Sequence, residues 1–134
     1  MSWETAQHVR LVEALAAEIS TRHARLYSLT LFLDLPAYRR DRPRPIAGFI
    51  PDVFAVDVPE TCRIIGEAKT PLDLETDRSR KQIEAFLTHL SRFPNTNFYL
   101  AVPLLYRSRA ESLLGCAATS ASAASVRVHV VGSG

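Results

Sequence analysis

Residues 48–70 read Gly-Phe-Ile-Pro-Asp-Val-Phe-Ala-Val-Asp-Val-Pro-Glu-Thr-Cys-Arg-Ile-Ile-Gly-Glu-Ala-Lys-Thr. Two apolar, β-branched runs, 49–57 and 61–70, flank Val58-Pro59-Glu60, whose proline has no N–H for a sheet ladder and suits a turn. The pattern predicts a β-hairpin. A turn centred between Pro59 and Glu60 sets Asp52 opposite Glu67, with both side chains on one face. Side chains alternate along a strand, so Lys69 leaves on the face of Glu67, while Gly66, Ala68 and Thr70 face the other way. Two carboxylates and an amine then meet among Val53, Phe54, Ile64 and Ile65, where an unpaired charge is costly.

Like charges at that range repel, and a fold holds them when a cation or a proton is shared between them. Mg²⁺ suits the pair, with Mn²⁺ as a substitute: it takes carboxylate and carbonyl oxygens, keeps several waters, and works with one or two protein carboxylates plus a substrate phosphate. Asp52, Glu67 and the main-chain carbonyl of Ala68 are the expected ligands. The same alternation also describes a hairpin with one wet face, so a merely solvated acid pair stays open beside the metal site.

The 134 residues suit one domain, 1–134, that buries about two-thirds of its unfolded surface without staples. A formal charge of +2 does not by itself announce a nucleic-acid partner. Cys62 and Cys116 match no zinc spacing and are expected as buried, reduced thiols in a cytoplasmic setting. No run is long and apolar enough for a membrane span, and Met1-Ser2-Trp3-Glu4 does not open a signal peptide.

Along the chain, Val12, Leu15, Ala16 and Ile19 recur at helical spacing and predict an amphipathic helix over 5–20. Residues 26–35 are rich in strand formers, and their nearly continuous apolar character predicts a strand buried on both faces. The stretch 36–47 mixes Tyr38, Arg39, Arg40, Arg42 and Arg44 with three prolines, which excludes a regular helix. Four loop arginines beside a metal site suit a phosphate backbone, Tyr38 suits packing or base stacking, and a solubilising loop is the plainer alternative. After an acidic connection at 71–77, a helix is expected over 77–92 with Ile83, Phe86, Leu87 and Leu90 inward. Asp73, Thr76 and Asp77 are all candidate caps. Arg78, Arg80 and Lys81 form a second basic cluster, either DNA-binding or a solvated face. A strand over 97–103, a helix over 107–117 carrying Leu113, Leu114 and Cys116, and a partly exposed strand over 125–131 complete the order. His8, His23, His89 and His129 share no ligand spacing and are expected to be incidental.

Pro51-Asp52, fourteen residues, then Glu67-Ala68-Lys69 resembles the signature of the PD-(D/E)XK nuclease superfamily. The resemblance spans roughly residues 5–103 and implies an α/β, restriction-endonuclease-like αβββαβ core, a mixed central sheet flanked by helices, here with an added C-terminal helix and strand. It implies a Mg²⁺-dependent deoxyribonuclease, an endonuclease in the first instance, in which Asp52 and Glu67 hold metal and Lys69 positions the attacking water. In the family a glutamate of the first helix often completes the metal site, and Glu13 fits that place, with Glu18 at the other margin of the helix. One branch of the superfamily carries a glutamine followed four positions later by tyrosine. Gln82 with Phe86 is similar to that pattern, without the hydroxyl, and the resemblance gives Gln82 the task of holding Lys69 or the water. Members often act as homodimers, and a chain this short also suits a separate recognition subunit. A catalytically idle module of the same fold, binding DNA or a protein, is the alternative.

Overall fold

The computed structural model describes residues 3–36 and 41–134. Helix α1 (Trp3–His23) precedes strands β1 (Leu29–Leu33), β2 (Val53–Asp57) and β3 (Arg63–Ala68). Helices α2 (Pro71–Leu74) and α3 (Asp77–Leu90) lead to β4 (Thr96–Pro103), then a 3₁₀ turn (Leu104–Tyr106), α4 (Arg107–Ser120) and β5 (Arg127–Ser133). The strands form one sheet in sequence order, the first two pairings antiparallel and the last two parallel. The fold is therefore α/β with a mixed five-stranded sheet.

Residues 48–70 contain the expected hairpin. Val53 pairs with Gly66 and Phe54 with Ile65, a register that carries Asp52 across from Glu67. Asp57 closes the turn, its carboxylate accepting the N–H of Cys62 at 2.7 Å and the hydroxyl of Thr61.

Helices cover both faces of the sheet because its central strands are apolar on both. Leu11, Val12, Leu15 and Ile19 of α1 pack on Val53, Ala55, Ile64, Ala68, Tyr99 and Ala101. On the other face Ile83, Phe86, Leu87 and Leu90 of α3, with Ala110, Leu114 and Ala117 of α4, meet Ile65, Phe98, Leu100 and Val102. α1 lies close against β3 at Gly66, where a Cβ would stand 2.8 Å from Leu15 Cδ2.

Three expectations change and one open choice is settled. β1 is shorter than residues 26–35 and only partly buried, since it is an edge strand with one neighbour, and Leu26 is exposed. The connection 71–77 holds a helical turn, α2, started by Pro71, whose missing N–H and fixed φ suit a first helical position. Thr76 caps α3, accepting the N–H of Ser79 at 3.1 Å. Cys62 is buried but Cys116 is exposed, because α4 turns positions 110, 114 and 117 inward. Among the described residues no helix is long and apolar enough to cross a membrane.

Candidate active site

The strand ends nearest α2 gather Asp52, Glu67 and Lys69, all buried. Glu67 is the last inward position of β3 before Ala68, and its Oε1 accepts the main-chain N–H of Asp52 at 2.9 Å. Asp52 precedes β2, and its Oδ2 accepts the N–H of Ala68 at 2.8 Å. The two acids are thus clamped reciprocally, each by the other strand's backbone. Asp52 stands outside the ladder, so its carboxylate is not held to strand alternation. The two acids sit opposite one another as the register requires, joined through the main chain of Asp52 and Ala68.

Lys69 continues β3 by donating its N–H to the carbonyl of Ala101 at 2.9 Å. Its Nζ donates to Gln82 Oε1 at 2.6 Å and lies 3.5 Å from Glu67 Oε2. Gln82 projects from α3, one turn before Phe86, and sits at the margin of the buried stripe.

From the opposite face α1 contributes His8, whose Nε2 lies 3.3 Å from Asp52 Oδ1. The spacing of the histidines marks His8 as incidental, and the family resemblance points to Glu13 for this helix. Glu13 is exposed, about 140° around the helix from His8 at ~3.6 residues per turn, and Glu18 pairs with Arg22. The signal for His8 was present, since it precedes Val12 by four residues and Leu15 by seven, on the same buried stripe.

Burial, and then the charge of Asp52, pushes the Glu67 carboxyl well above its ordinary value, with Lys69 opposing. The hydrogen bond to Asp52 raises the His8 imidazole, against the pull of burial. The site therefore joins an acid that resists ionisation to a base that favours it.

The donor chemistry fits a hard cation. Two carboxylates meet at one strand end, each accepting a main-chain N–H from the opposite strand, with the Ala68 main chain beside Asp52. Among the described residues no three His, Cys, Asp or Glu side chains gather as a ligand group.

The basic residues divide. Tyr38, Arg39 and Arg40 lie outside the described residues. Arg42 is engaged by Asp34, Arg78 lies 5.4 Å from the Phe49 ring, and Arg80 pairs with Asp77 at 3.5 Å. Arg44 and Lys81 are exposed.

A second polar cluster sits at the far end of α1. His23 Nε2 is 2.7 Å from Tyr99 Oη, the His129 ring stacks on Tyr99 at 4.4 Å, and His129 Nε2 meets Asn97 Oδ1 at 2.9 Å. His23 and His129 are structural rather than incidental, and His89 bonds Arg63 at 3.1 Å.

Comparison of the chain with protein-family models, curated proteins and solved structures finds no match.

Proposed function

We propose that the protein is a Mg²⁺-dependent nuclease of the PD-(D/E)XK kind, with a restriction-endonuclease-like core, which cuts phosphodiester bonds within DNA. One observation carries the reading: the hairpin register brings Asp52 and Glu67 together with Lys69 two residues farther along the same strand, its ammonium held by Gln82. The order helix, three strands, helix, strand agrees with that core.

Asp52, Glu67 and the Ala68 carbonyl would hold Mg²⁺, or Mn²⁺ in its stead. When bound, the ion supplies Lewis acidity toward a phosphate oxygen and water. Lys69 faces the same point with a buried ammonium, which donates to phosphate oxygens as negative charge grows on them. Gln82 fixes the ammonium, so little reorganisation is needed during the reaction. His8 holds Asp52 from α1. Arg44, Arg78, Arg80 and Lys81 offer cations to the DNA backbone. A second copy of the chain would supply the second cut of a duplex.

Asp52→Ala and Lys69→Ala test the reading. Each protein should stay folded by circular dichroism and lose Mg²⁺-dependent cleavage of plasmid and oligonucleotide DNA by at least ~10²-fold. Wild-type rates in either variant refute it.

One observation favours an idle binding module instead: the carboxylates already accept main-chain N–H groups and lie beside Lys69 and His8, so protein groups answer much of their charge. Calorimetric titration separates the two readings. A nuclease takes up Mg²⁺ or Mn²⁺ in the millimolar range or below, and an idle module takes up neither.

A further inference from the structure

Beside the carboxylates an open hollow of about 370 Å³ is bounded by Thr5, His8, Thr70, Leu72 and Asp73. That volume lies toward the small end of ligand pockets. His8 ties it to the site, since the same imidazole meets Asp52.

The walls are unlike a phosphate site. Asp73 brings a carboxylate, bonded to the Thr70 hydroxyl at 3.2 Å, and Asp52 stands behind His8. Asp52 is engaged by the His8 imidazole, and the Asp73 carboxylate at the wall repels a phosphodiester. Leu72 is 73% exposed at the rim, whereas Leu74 of the same short helix is buried. An exposed apolar side chain beside an exposed carboxylate suits an uncharged flat group that carries N–H donors.

We propose that this hollow takes one unpaired nucleobase next to the scissile phosphate, and that the substrate is accordingly single-stranded or locally unpaired DNA. The inference rests on the nuclease reading above and names its substrate class. In a duplex a base has both faces stacked and its amino edge paired, so only an unstacked base offers Leu72 a face and Asp73 a donor. Adenine, cytosine and guanine present an exocyclic amine. Thymine presents a ring N–H between two carbonyl oxygens, which a carboxylate repels, and is the disfavoured base.

Two measurements test this on the full chain. Fluorescence anisotropy of labelled oligo-dA, oligo-dC, oligo-dT and duplex DNA without divalent metal reads binding alone. Hydrolysis of bis(p-nitrophenyl) phosphate with Mg²⁺ reads phosphodiester chemistry without a base. Wild type should bind oligo-dA and oligo-dC about tenfold more tightly than oligo-dT or duplex, the discrimination of one good polar contact to a base. Asp73→Asn should bring oligo-dA and oligo-dT to near parity, and Leu72→Ser should weaken all single strands together. Both side chains are exposed, and both variants should keep the wild-type rate on the base-free ester. Equal wild-type binding of oligo-dA and oligo-dT, or an unchanged preference in Asp73→Asn, overturns the base site. Absence of ester and DNA hydrolysis with the binding preference intact overturns the nuclease reading instead.

Discussion

The ammonium of Lys69 lies closer to the amide oxygen of Gln82, at 2.6 Å, than to the carboxylate of Glu67, at 3.5 Å. A neutral partner on another helix, rather than the neighbouring acid on its own strand, thus sets the direction of the one buried amine among the three clustered side chains. Glu67 in turn takes its hydrogen bond from the main chain of Asp52.

Gln82 should therefore act through Lys69. Gln82→Ala is expected to reduce DNA cleavage by about 10–100-fold with little loss of stability, and Lys69→Ala by about 10²–10³-fold. Groups that act as a unit are not additive, so the double variant should be no slower than Lys69→Ala alone. Single-turnover rates of the four proteins check this, and multiplicative losses would separate Gln82 from Lys69.

Glu67 should weaken the metal-free protein. Its folded carboxyl is raised above the ordinary 4.5, so its stabilising contribution is full below that value and is lost as pH rises through the folded one. Glu67→Gln removes the charge while keeping the shape. Without metal at neutral pH it should raise stability by roughly 1–3 kcal/mol in urea unfolding, with the gain shrinking toward acid pH. The same change should abolish Mg²⁺ uptake.

Gly66 should tolerate no side chain. A methyl there would meet Leu15 Cδ2 at 2.8 Å and Val53 Cβ at 3.3 Å, so the buried Leu15 of α1 must shift to admit it. Gly66→Ala is expected to cost about 1–3 kcal/mol. Because α1 carries His8, the imidazole should separate from Asp52, and its titration, followed by NMR, should drop back toward 6.5.

His23 and His129 should weaken the protein in acid. Burial, and then neighbouring arginines, lowers both imidazoles below 6.5. Their contribution is present above that value and is lost as pH falls through the lowered folded ones. Between about pH 7.5 and pH 5 the wild type should lose more stability than a His23→Gln, His129→Gln double variant. His8 is shifted the opposite way, but it is present in both proteins and cancels from the comparison.

The residues alone specify the main helices and strands, though not the helical turn at Pro71–Leu74, and they specify the hairpin and its register, since alternation of period two and a proline turn leave one pairing that keeps Val53 and Ile64 inside. Asp52, Glu67 and Lys69 follow as neighbours from that one register, whereas the meeting of Gln82 with Lys69 was implied by the family resemblance alone, since the stripe of Ile83 and Phe86 does not name the strand beneath it. What the fold alone decided is which side of α1 reaches Asp52. Helical period marks a stripe but not the partner beneath it, so Glu13 and His8 were distinguishable only once Leu15 had settled over Gly66. The same holds for Arg42 and for the edge position of β1: whether that arginine meets Asp34 and whether the strand gains a second neighbour are set by tertiary contacts, which local propensity does not encode.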